Sequence, residues 1–266
     1  MLRLWLFMDK VYVITICRNA GELLEPTMLS VMNQTYENLH YIIVDGGSTD
    51  SSIDVIQKYE DRLTAWVSEP DKGIYDAMNK GLRMAKSLLQ EGECAWVNFM
   101  NAGDRFDELE IVQRLFGTEG ALQLSEKRDS ILVIGGNTRD YYNDGTYKIH
   151  YAESAGVLPY RLAFSHQSCF VRIGNVPSDF NFNSDWTFDI HYKFAADYNL
   201  LHDIYRKCGK EAFLIVNHVI ACYMQDGSSS LGNWHKTSVE YLRIQFDFFS
   251  INWWKNVYRF LRKSFR

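Results

Sequence analysis

A short apolar run that ends in one carboxylate is the stretch of this sequence with the clearest chemical potential. Ala95–Met100 has the length of a buried strand, and Asn101–Asp104 closes it as a turn of small residues. If this strand belongs to an open α/β sheet, the turn lies at the carboxyl edge, where such sheets bind ligands. Asp104 could bind a metal ion that meets a phosphate, or it could merely cap the helix that follows. Taken alone, the capping role is the more frequent one.

A second carboxylate, Asp45, ends the apolar segment Tyr41–Asp45 and is followed by two glycines. Glycines let a ligand approach the backbone, and a carboxylate can accept a hydrogen bond from a base N–H or a ribose hydroxyl. The sequence contains no G-x-G-x-x-G, no G-x-x-x-x-G-K-S/T and no G-x-S-x-G motif. These absences count against a dinucleotide-binding domain, a P-loop kinase and an α/β-hydrolase.

The elements that must position these residues alternate between strand and helix. The pattern predicts strands at Val11–Cys17, Tyr41–Asp45, Leu63–Val67 and Ala95–Met100, with helices between them at Glu22–Gln34, Ser51–Tyr59 and Ile74–Leu89. Such alternation predicts right-handed βαβ units and therefore an α/β fold with a mostly parallel central sheet.

The second half of the chain has a different pattern. Two strand candidates are Ile131–Gly136 and Tyr141–Ile149, and the hairpin signal Asp144-Gly145 lies within the second. Further strands are expected at Gln167–Val171, Phe213–Val216 and His218–Tyr223, and a helix is expected at Phe194–Lys207.

Composition narrows the class of protein. A chain of 266 residues, 47% of them hydrophobic, predicts one large α/β domain or one domain with a tail. The net charge of −5 gives no reason to expect nucleic acid as a partner. The five scattered cysteines include no C-x-x-C pair, so we expect reduced core residues of a cytoplasmic protein. Met1–Met8 is too short for a signal peptide or a membrane span.

Four segments, in this order and at this spacing, carry a resemblance to family 2 glycosyltransferases of the GT-A fold. They are I-T-I-C-R-N (Ile14–Asn19), I-I-V-D-G-G-S-T-D (Ile42–Asp50), S-E-P-D-K-G-I-Y-D-A-M-N-K-G (Ser68–Gly81) and F-M-N-A-G-D (Phe99–Asp104). The likeness resumes at H-Q-S (His166–Ser168) and at A-A-D-Y-N-L-L (Ala195–Leu201). Within the family, the sequence is most similar to bacterial enzymes that build capsule, colanic-acid and O-antigen repeat units.

The resemblance implies a nucleotide site at the first strands. Thr15 and Asn19 would lie along the nucleotide edge, and Asp45 would bind the nucleobase, which is usually uracil. Asp71, Lys72 and Gly73 would close the pocket, with Lys72 also able to neutralise phosphate.

The turn Asn101–Asp104 occupies the place of the family's metal-binding D-x-D motif. Asn101 and Gly103 replace two of the carboxylates, which leaves Asp104 as the implied ligand of Mg²⁺ or Mn²⁺. One carboxylate, a diphosphate and waters still make an acceptable Mg²⁺ site.

The resemblance places the catalytic base at Asp197, where it would deprotonate an acceptor hydroxyl as that hydroxyl attacks the anomeric carbon. His166 is either a structural histidine or a contact to the diphosphate or metal. Arg161 and Arg172 flank it and are candidate phosphate contacts. Four other carboxylates of this half are interpreted as acceptor-loop or surface residues, namely Glu153, Asp185, Asp189 and, on the helix of Asp197, Asp203.

The implied function is inverting transfer of a sugar from a nucleotide-diphosphate donor, with UDP expected, to a glycan or lipid-linked acceptor in bacterial surface polysaccharide biosynthesis. The implied GT-A domain covers residues 1–235, with a nucleotide-binding half at 10–105 and an acceptor half at 106–235. Two alternatives stay open. One is a sugar nucleotidyltransferase, although Arg18–Leu23 lacks a glycine- and lysine-rich signature. The other is a degenerate, non-catalytic sugar-nucleotide-binding protein, suggested by the depleted D-x-D.

The last segment, residues 236–266, is predicted to be an amphipathic helical tail rich in aromatic and basic residues. Such a helix suits a membrane interface, and a lipid-linked acceptor would favour that role at the inner face of the cytoplasmic membrane. It equally suits a terminal helix that packs over the domain, with basic residues in its last turn complementing the helix dipole.

Deleting Asn252–Arg266 tests the membrane alternative. Because the aromatic and basic side chains would supply the contact, the truncated protein should move from the membrane fraction to the soluble one. It should also bind anionic liposomes more weakly in a sedimentation assay. A full-length protein that ignores liposomes at low salt would show instead that the tail is a packing helix.

Overall fold

The computed structural model describes residues 8–142, 144–174, 176, 182, 185–225, 234–246, 258 and 261–262. Its strands are β1 (Lys10–Cys17), β2 (Leu39–Asp45), β3 (Ala65–Ser68), β4 (Cys94–Phe99), β5 (Arg105–Phe106), β6 (Val133–Tyr142), β7 (Tyr147–His150), β8 (Cys169–Gly174) and β9 (Phe213–Gln225). Its helices are α1 (Gly21–Met32), α2 (Ser52–Lys58), α3 (Ile74–Ser87), α4 (Ile111–Phe116), α5 (Ala196–Cys208) and α6 (Trp234–Phe246).

One sheet organises the described residues. Its strand order is β3-β2-β1-β4-β8-β6-β9-β5, and β7 pairs with β6 outside this path. Strands β1 to β4 are mutually parallel, and β6 and β9 run in the same direction because β8 is antiparallel to both β4 and β6. The prediction of an α/β fold with a mostly parallel sheet is confirmed.

The direction of the strands brings several strand ends to one edge. Cys17 at the end of β1 is paired with Asp45 at the end of β2, and Ile14 is paired with Phe99 at the end of β4. The carboxyl ends of β6 and β9 lie at the same edge because these strands are parallel to β1. Ligands of open α/β sheets bind at this edge.

Helices cover the two faces of the sheet. On one face, Gly81 of α3 sits so close to β1 that an added Cβ would lie 2.4 Å from Cγ2 of Ile14. On the other face, α1 buries Leu24, Met28 and Val31, a spacing that places all three on one side of the helix. Within the described residues, no helix is long and apolar enough to cross a membrane.

Most predicted elements are found with small shifts at their ends, and four features differ. The predicted strand Tyr141–Ile149 comprises the end of β6, a turn and β7, because β6 extends to Tyr142. The two predicted strands at Phe213–Val216 and His218–Tyr223 form a single strand, β9. Gln167 and Ser168, predicted as strand, lie in a 3₁₀ turn at His166–Ser168 that precedes β8. The short elements β5 and α4 were not predicted, because two and six residues are too few to show a hydrophobic period.

The first part of the predicted tail, α6, packs against α5. The rings of Tyr241 and Tyr198 stack with centroids 4.3 Å apart, and Ile244 is buried. Gln245 donates to the hydroxyl oxygen of Tyr198 at 3.0 Å and to the carbonyl of Tyr160 at 2.8 Å. Here the packing alternative holds for residues 234–246, whereas most of the aromatic and basic residues of the tail lie outside the described residues.

Candidate active site

A cleft of about 1190 Å³ opens at the carboxyl edge of the sheet. Its floor is formed by the ends of β1 and β4, and the first turns of α3 and α5 border it. The chain segments that line it include residues 16–20, 71–77, 101–104, 138–140, 150–153, 162–167, 193–197 and 223, though not every residue within each range.

Asp197, the predicted base, lies in the first turn of α5 and lines this cleft. Its Oδ1 accepts hydrogen bonds from the Tyr75 hydroxyl at 3.0 Å and from the backbone N–H of Tyr198 at 2.8 Å. Its Oδ2 lies 3.4 Å from Nδ1 of His166. Burial to 9% exposure would raise the pKa of Asp197, but the hydrogen bond and charge attraction of His166 outweigh it and lower the pKa. The carboxylate is therefore ionised and held in one direction.

His166 joins this carboxylate to the turn after β4. Its Nε2 lies 3.1 Å from the side-chain nitrogen of Asn101. Burial opposes the charge of the imidazole, but the hydrogen bond to Asp197 and the nearby carboxylates raise its pKa above the ordinary value. The 3₁₀ turn that carries His166 is itself fixed, because Asn98 of β4 donates to the carbonyls of Gln167 and Cys169 at 2.8 Å each.

Asp104, the predicted metal ligand, is buried beside the cleft. Its Oδ2 accepts a hydrogen bond from Nε2 of Gln167 at 3.0 Å, and its backbone oxygen accepts one from the Thr27 hydroxyl at 2.7 Å. The turn before it depends on Gly103, whose φ of 102° lies in the region that favours glycine.

The residues of this turn fit a hard divalent cation. Oδ1 of Asn101 is buried and has no hydrogen-bond partner in the described part of the chain, and the Asp104 carboxylate lines the same cleft. Both offer the oxygen ligands that Mg²⁺ and Mn²⁺ prefer. Among the described residues, no group of three or more His, Cys, Asp or Glu could hold a metal by itself. The fit therefore requires further oxygens from a phosphate ligand and from water.

Of the polar side chains that were predicted to contact the nucleotide, those of Asn19 and Asp71 line the cleft. Asn19 has a positive φ of 51°, and its Oδ1 accepts from the backbone N–H of Thr49 at 2.8 Å. Asp71 accepts from the N–H of Gly73, which lies just before α3, at 2.8 Å. The Lys72 side chain is exposed, and the residue is not part of the cleft lining.

Two residues predicted to contact the nucleotide, Thr15 and Asp45, do not line the cleft. Thr15 is fully buried, and its hydroxyl donates to the Met100 carbonyl at 2.7 Å. Asp45 is also fully buried, and its carboxylate accepts from the N–H groups of Gly47 and Ser48 and from the Ser68 hydroxyl. Burial would raise the pKa of Asp45, but these hydrogen bonds lower it. Asp45 therefore shapes the turn that follows β2, and its side chain does not reach the cleft.

The Asp71 carboxylate occupies the space that a side chain at residue 46 would fill. A Cβ added to Gly46 would lie 2.3 Å from Oδ2 of Asp71, so the absence of a side chain at residue 46 makes room for that carboxylate. Asp71, from the loop between β3 and α3, is thus the carboxylate that lines the cleft beside the end of β2.

The candidate phosphate contacts Arg161 and Arg172 also lie outside the cleft lining. Arg161 forms a two-point ion pair with Glu153, and of the two only Glu153 lines the cleft. The buried guanidinium of Arg172 donates to the Asp129 carbonyl at 3.0 Å and packs over Trp96, so it is occupied inside the fold.

The remaining carboxylates behave as expected for surface residues. Asp185 pairs with Lys86, Asp189 pairs with His191, and Asp203 pairs with Arg206 and Lys207.

Three functional side chains were missed by sequence reasoning. Tyr75 and Gln167 lie within the quoted segments S-E-P-D-K-G-I-Y-D and H-Q-S, but nothing in the sequence alone pairs them with Asp197 and Asp104. Asp140 lines the cleft from β6, and it was hidden in a stretch whose only signal was a hairpin turn.

The sequence of this chain is similar to those of known glycosyltransferases. Residues 12–173 match the family model described as Glycosyl transferase family 2. An uncharacterized glycosyltransferase of Mycobacterium tuberculosis is 30% identical over 184 residues, which cover 67% of this chain and 66% of the relative. A PGL/p-HBAD biosynthesis glycosyltransferase of Mycobacterium bovis is 25% identical and is covered over 75% of its length. The chain thus spans just under two thirds of the first relative.

Two solved structures have the same fold. S. aureus TarS 1–349 in complex with UDP-GlcNAc superposes with a TM-score of 0.57 at 13% identity, covering 88% of this chain and 66% of TarS 1–349. Glucosyl-3-phosphoglycerate synthase of Mycobacterium tuberculosis, in complex with Mn²⁺, UDP and glucosyl-3-phosphoglycerate, gives 0.56 at 15% identity and coverages of 89% and 80%. These likenesses confirm the GT-A fold.

The pairing of His166 with Asp197 predicts a specific titration. In an NMR titration of the parent protein, the His166 imidazole should titrate above the ordinary value of about 6.5, and Asp197→Asn should lower that midpoint. Since the folded-state pKa of His166 is raised, its stabilising contribution is complete below about 6.5 and is lost as pH rises through the raised pKa. The contribution of Asp197 is present above about 3.9 and is lost as pH falls through its lowered pKa.

Asp203→Asn, on the same helix, is the matched control and should leave the His166 midpoint unchanged. A His166 midpoint that does not respond to Asp197→Asn would show that the two groups are not coupled in solution.

Proposed function

Because this chain belongs to glycosyl transferase family 2, we propose that it is an inverting glycosyltransferase that uses a nucleotide-diphosphate sugar. The observation that carries the proposal is the Asp197 carboxylate, which lines the cleft and is fixed by hydrogen bonds from two different helices. Its lowered pKa keeps it ionised at neutral pH, so it is ready to accept a proton. Oδ1 already has two donors, whereas Oδ2 is paired with the His166 imidazole and keeps a second lone pair for an acceptor hydroxyl.

The donor lies, in this proposal, along Asn19, Asp71 and Gly73. Asp71 replaces Asp45 as the carboxylate that contacts the nucleoside, because Asp71 lines the cleft and Asp45 does not. UDP is the proposed nucleotide, and it is supported by the solved structures of the same fold that contain UDP or UDP-GlcNAc.

The diphosphate would meet Asn101, Asp104 and His166. Asp104 and the amide oxygen of Asn101 would hold Mg²⁺ or Mn²⁺ together with phosphate oxygens. When bound, such an ion supplies positive charge that stabilises the leaving diphosphate.

The reaction is a single displacement. As the acceptor oxygen forms its bond to the anomeric carbon, the bond from that carbon to the diphosphate oxygen breaks and the nucleoside diphosphate leaves with the electron pair. The acceptor proton passes to Oδ2 of Asp197. Attack on the face opposite the leaving group inverts the anomeric configuration, and no covalent sugar–enzyme intermediate is formed.

We further propose a bacterial surface polysaccharide or lipid-linked glycan as the product, made at the cytoplasmic side of the membrane. The M. bovis relative named for PGL/p-HBAD biosynthesis supports a role in glycoconjugate synthesis. A peripheral membrane contact through the tail would place a lipid-linked acceptor beside the cleft, since α6 packs directly on the helix that carries Asp197.

Asp197→Asn tests the base. The substitution keeps the shape and removes the proton acceptor, so kcat should fall roughly 10²- to 10⁴-fold while the affinity for UDP stays unchanged. The assay measures UDP release from a panel of UDP-sugars with simple glycosides as acceptors. Asp203→Asn, which alters a surface ion pair of the same helix, should retain the parent rate. Parent-like transfer by Asp197→Asn would place the base elsewhere.

Asp104→Asn tests the metal. Because Asp104 is the remaining carboxylate of its turn, its loss should abolish the stimulation of UDP release by Mn²⁺ and weaken the Mn²⁺ dependence of UDP affinity in calorimetry. Asp185→Asn is the matched control, since its exposed carboxylate forms a surface ion pair with Lys86 and does not line the cleft. Full parent activity in EDTA would show that the side chains of the cleft handle the leaving group without a metal.

A further inference from the structure

A second histidine–carboxylate pair lies in the same cleft and has no part in the mechanism above. Oδ2 of Asp140, on β6, is 2.9 Å from Nε2 of His150, on β7. Both residues line the cleft, and Asp140 is 7% exposed. A buried carboxylate is costly unless it is paired, so this pair is a built feature of the cleft wall.

The register of the hairpin explains why the pair faces the cleft. Side chains on a strand alternate between the two faces, so Thr138 and Asp140 share one face of β6. His150 is the cross-strand partner of Thr138, and Tyr223 on β9 is the partner of Asp140. All four line the cleft.

The opposite face of the hairpin carries a separate cluster. Arg139 forms an ion pair with Asp107 at 3.0 Å and packs over the ring of Tyr147, with 5.1 Å from Cζ to the ring centroid. Neither Arg139 nor Tyr147 lines the cleft. The hairpin therefore presents two distinct surfaces, and one of them belongs to the site.

The Asp140–His150 pair lies away from the residues that are proposed to bind the donor. The donor residues Asn19 and Asp71 lie near the ends of β1 and β2, whereas β6 lies beyond β4 and β8 in the sheet. Asp104 and His166 stand between these two ends of the cleft. A ligand at Asp140 and His150 is thus on the far side of the reaction centre from the nucleoside.

The chemistry of this wall suits a sugar ring. A carboxylate-bound imidazole offers a directed hydrogen-bonding group to a hydroxyl, and a carboxylate accepts from hydroxyls next to it. Tyr151, directly after His150, lines the cleft with 70% of its surface exposed. A phenol ring provides an apolar face with a polar tip, which matches the apolar face and polar edge of a pyranose.

We propose that Asp140, His150 and Tyr151 form the subsite for the acceptor saccharide. This proposal rests on the proposed glycosyltransferase function and assigns its second substrate to a named surface. Asp140 orients the His150 imidazole, His150 hydrogen-bonds a hydroxyl of the acceptor ring, and Tyr151 packs on the face of that ring.

The first experiment is a binding measurement that needs no turnover. The imidazole signals of His150 are followed by NMR while a panel of methyl glycosides is titrated into the full chain saturated with UDP. At least one glycoside should shift the His150 signals in a saturable way. Tyr151→Ala should weaken the binding of that glycoside. If no glycoside moves the His150 signals while the protein binds UDP, the subsite is overturned.

The second experiment separates acceptor binding from donor use. His150→Ala and Tyr151→Ala should each raise the acceptor KM about 3- to 10-fold, the range expected for one lost contact. UDP affinity and acceptor-free hydrolysis of UDP-sugars should stay at parent values. The matched controls are His191→Ala, from a surface pair with Asp189, and Tyr147→Ala, on the other face of the hairpin. Neither control should change the acceptor KM.

The outcomes keep the two proposals apart. A parent protein that releases no UDP from any UDP-sugar would overturn the proposed function, whatever the His150 signals show. An active parent whose acceptor KM is unchanged in both cleft variants would overturn the subsite alone. Equal losses of UDP affinity in His150→Ala and Tyr151→Ala would assign this wall to the donor and would also overturn the proposal.

Discussion

The buried negative charge of Asp197 is the constraint on which the rest of the site depends. A carboxylate that is 9% exposed must be hydrogen-bonded to remain charged. Its partners come from the first turn of α3, the first turn of α5 and the 3₁₀ turn before β8. Each of these segments must therefore stay in place for the charge to be tolerated. His166 extends the same network to Asn101, so the turn after β4 is tied to the helix of Asp197.

The continuous sheet explains how one cleft can serve two substrates. β8 pairs antiparallel with β4 and with β6, and this arrangement returns β6 and β9 to the direction of β1. The donor side and the hairpin wall are consequently parts of one hydrogen-bonded layer with their functional ends at one edge. Against β6, strand β9 carries the extra residues of a bulge between Ile215 and Val219. Gly136 leaves room opposite this bulge, because an added Cβ would lie 2.6 Å from Cδ1 of Ile220.

Sequence reasoning could predict the alternating elements, the parallel sheet and the segment that carries Asp197, because these depend on local patterns and ordered motifs. It could not predict the direction of individual side chains. Thr15 and Asp45 were correctly placed near strand ends, but the direction of each side chain into the protein is set by partners such as Met100 and Ser68. The bond from Tyr75 to Asp197 joins residues 122 positions apart, and no local pattern reports such a pair. The membrane role of the tail stays a prediction.

The pairing of β5 with β9 determines when the site can assemble during synthesis of the chain. The strand that leaves the Asp104 turn is completed by Ala221 and Cys222, and the Cys222 thiol donates to Asp107 across 115 residues of sequence. At about 5–20 residues per second, a ribosome needs on the order of ten seconds to synthesise that interval. A nascent chain whose strands β1 to β4 have left the ribosome therefore contains the Asp104 turn before β9, the partner of β5, has been synthesised. Such non-local pairing slows folding, so the site is assembled only after β9 has been synthesised.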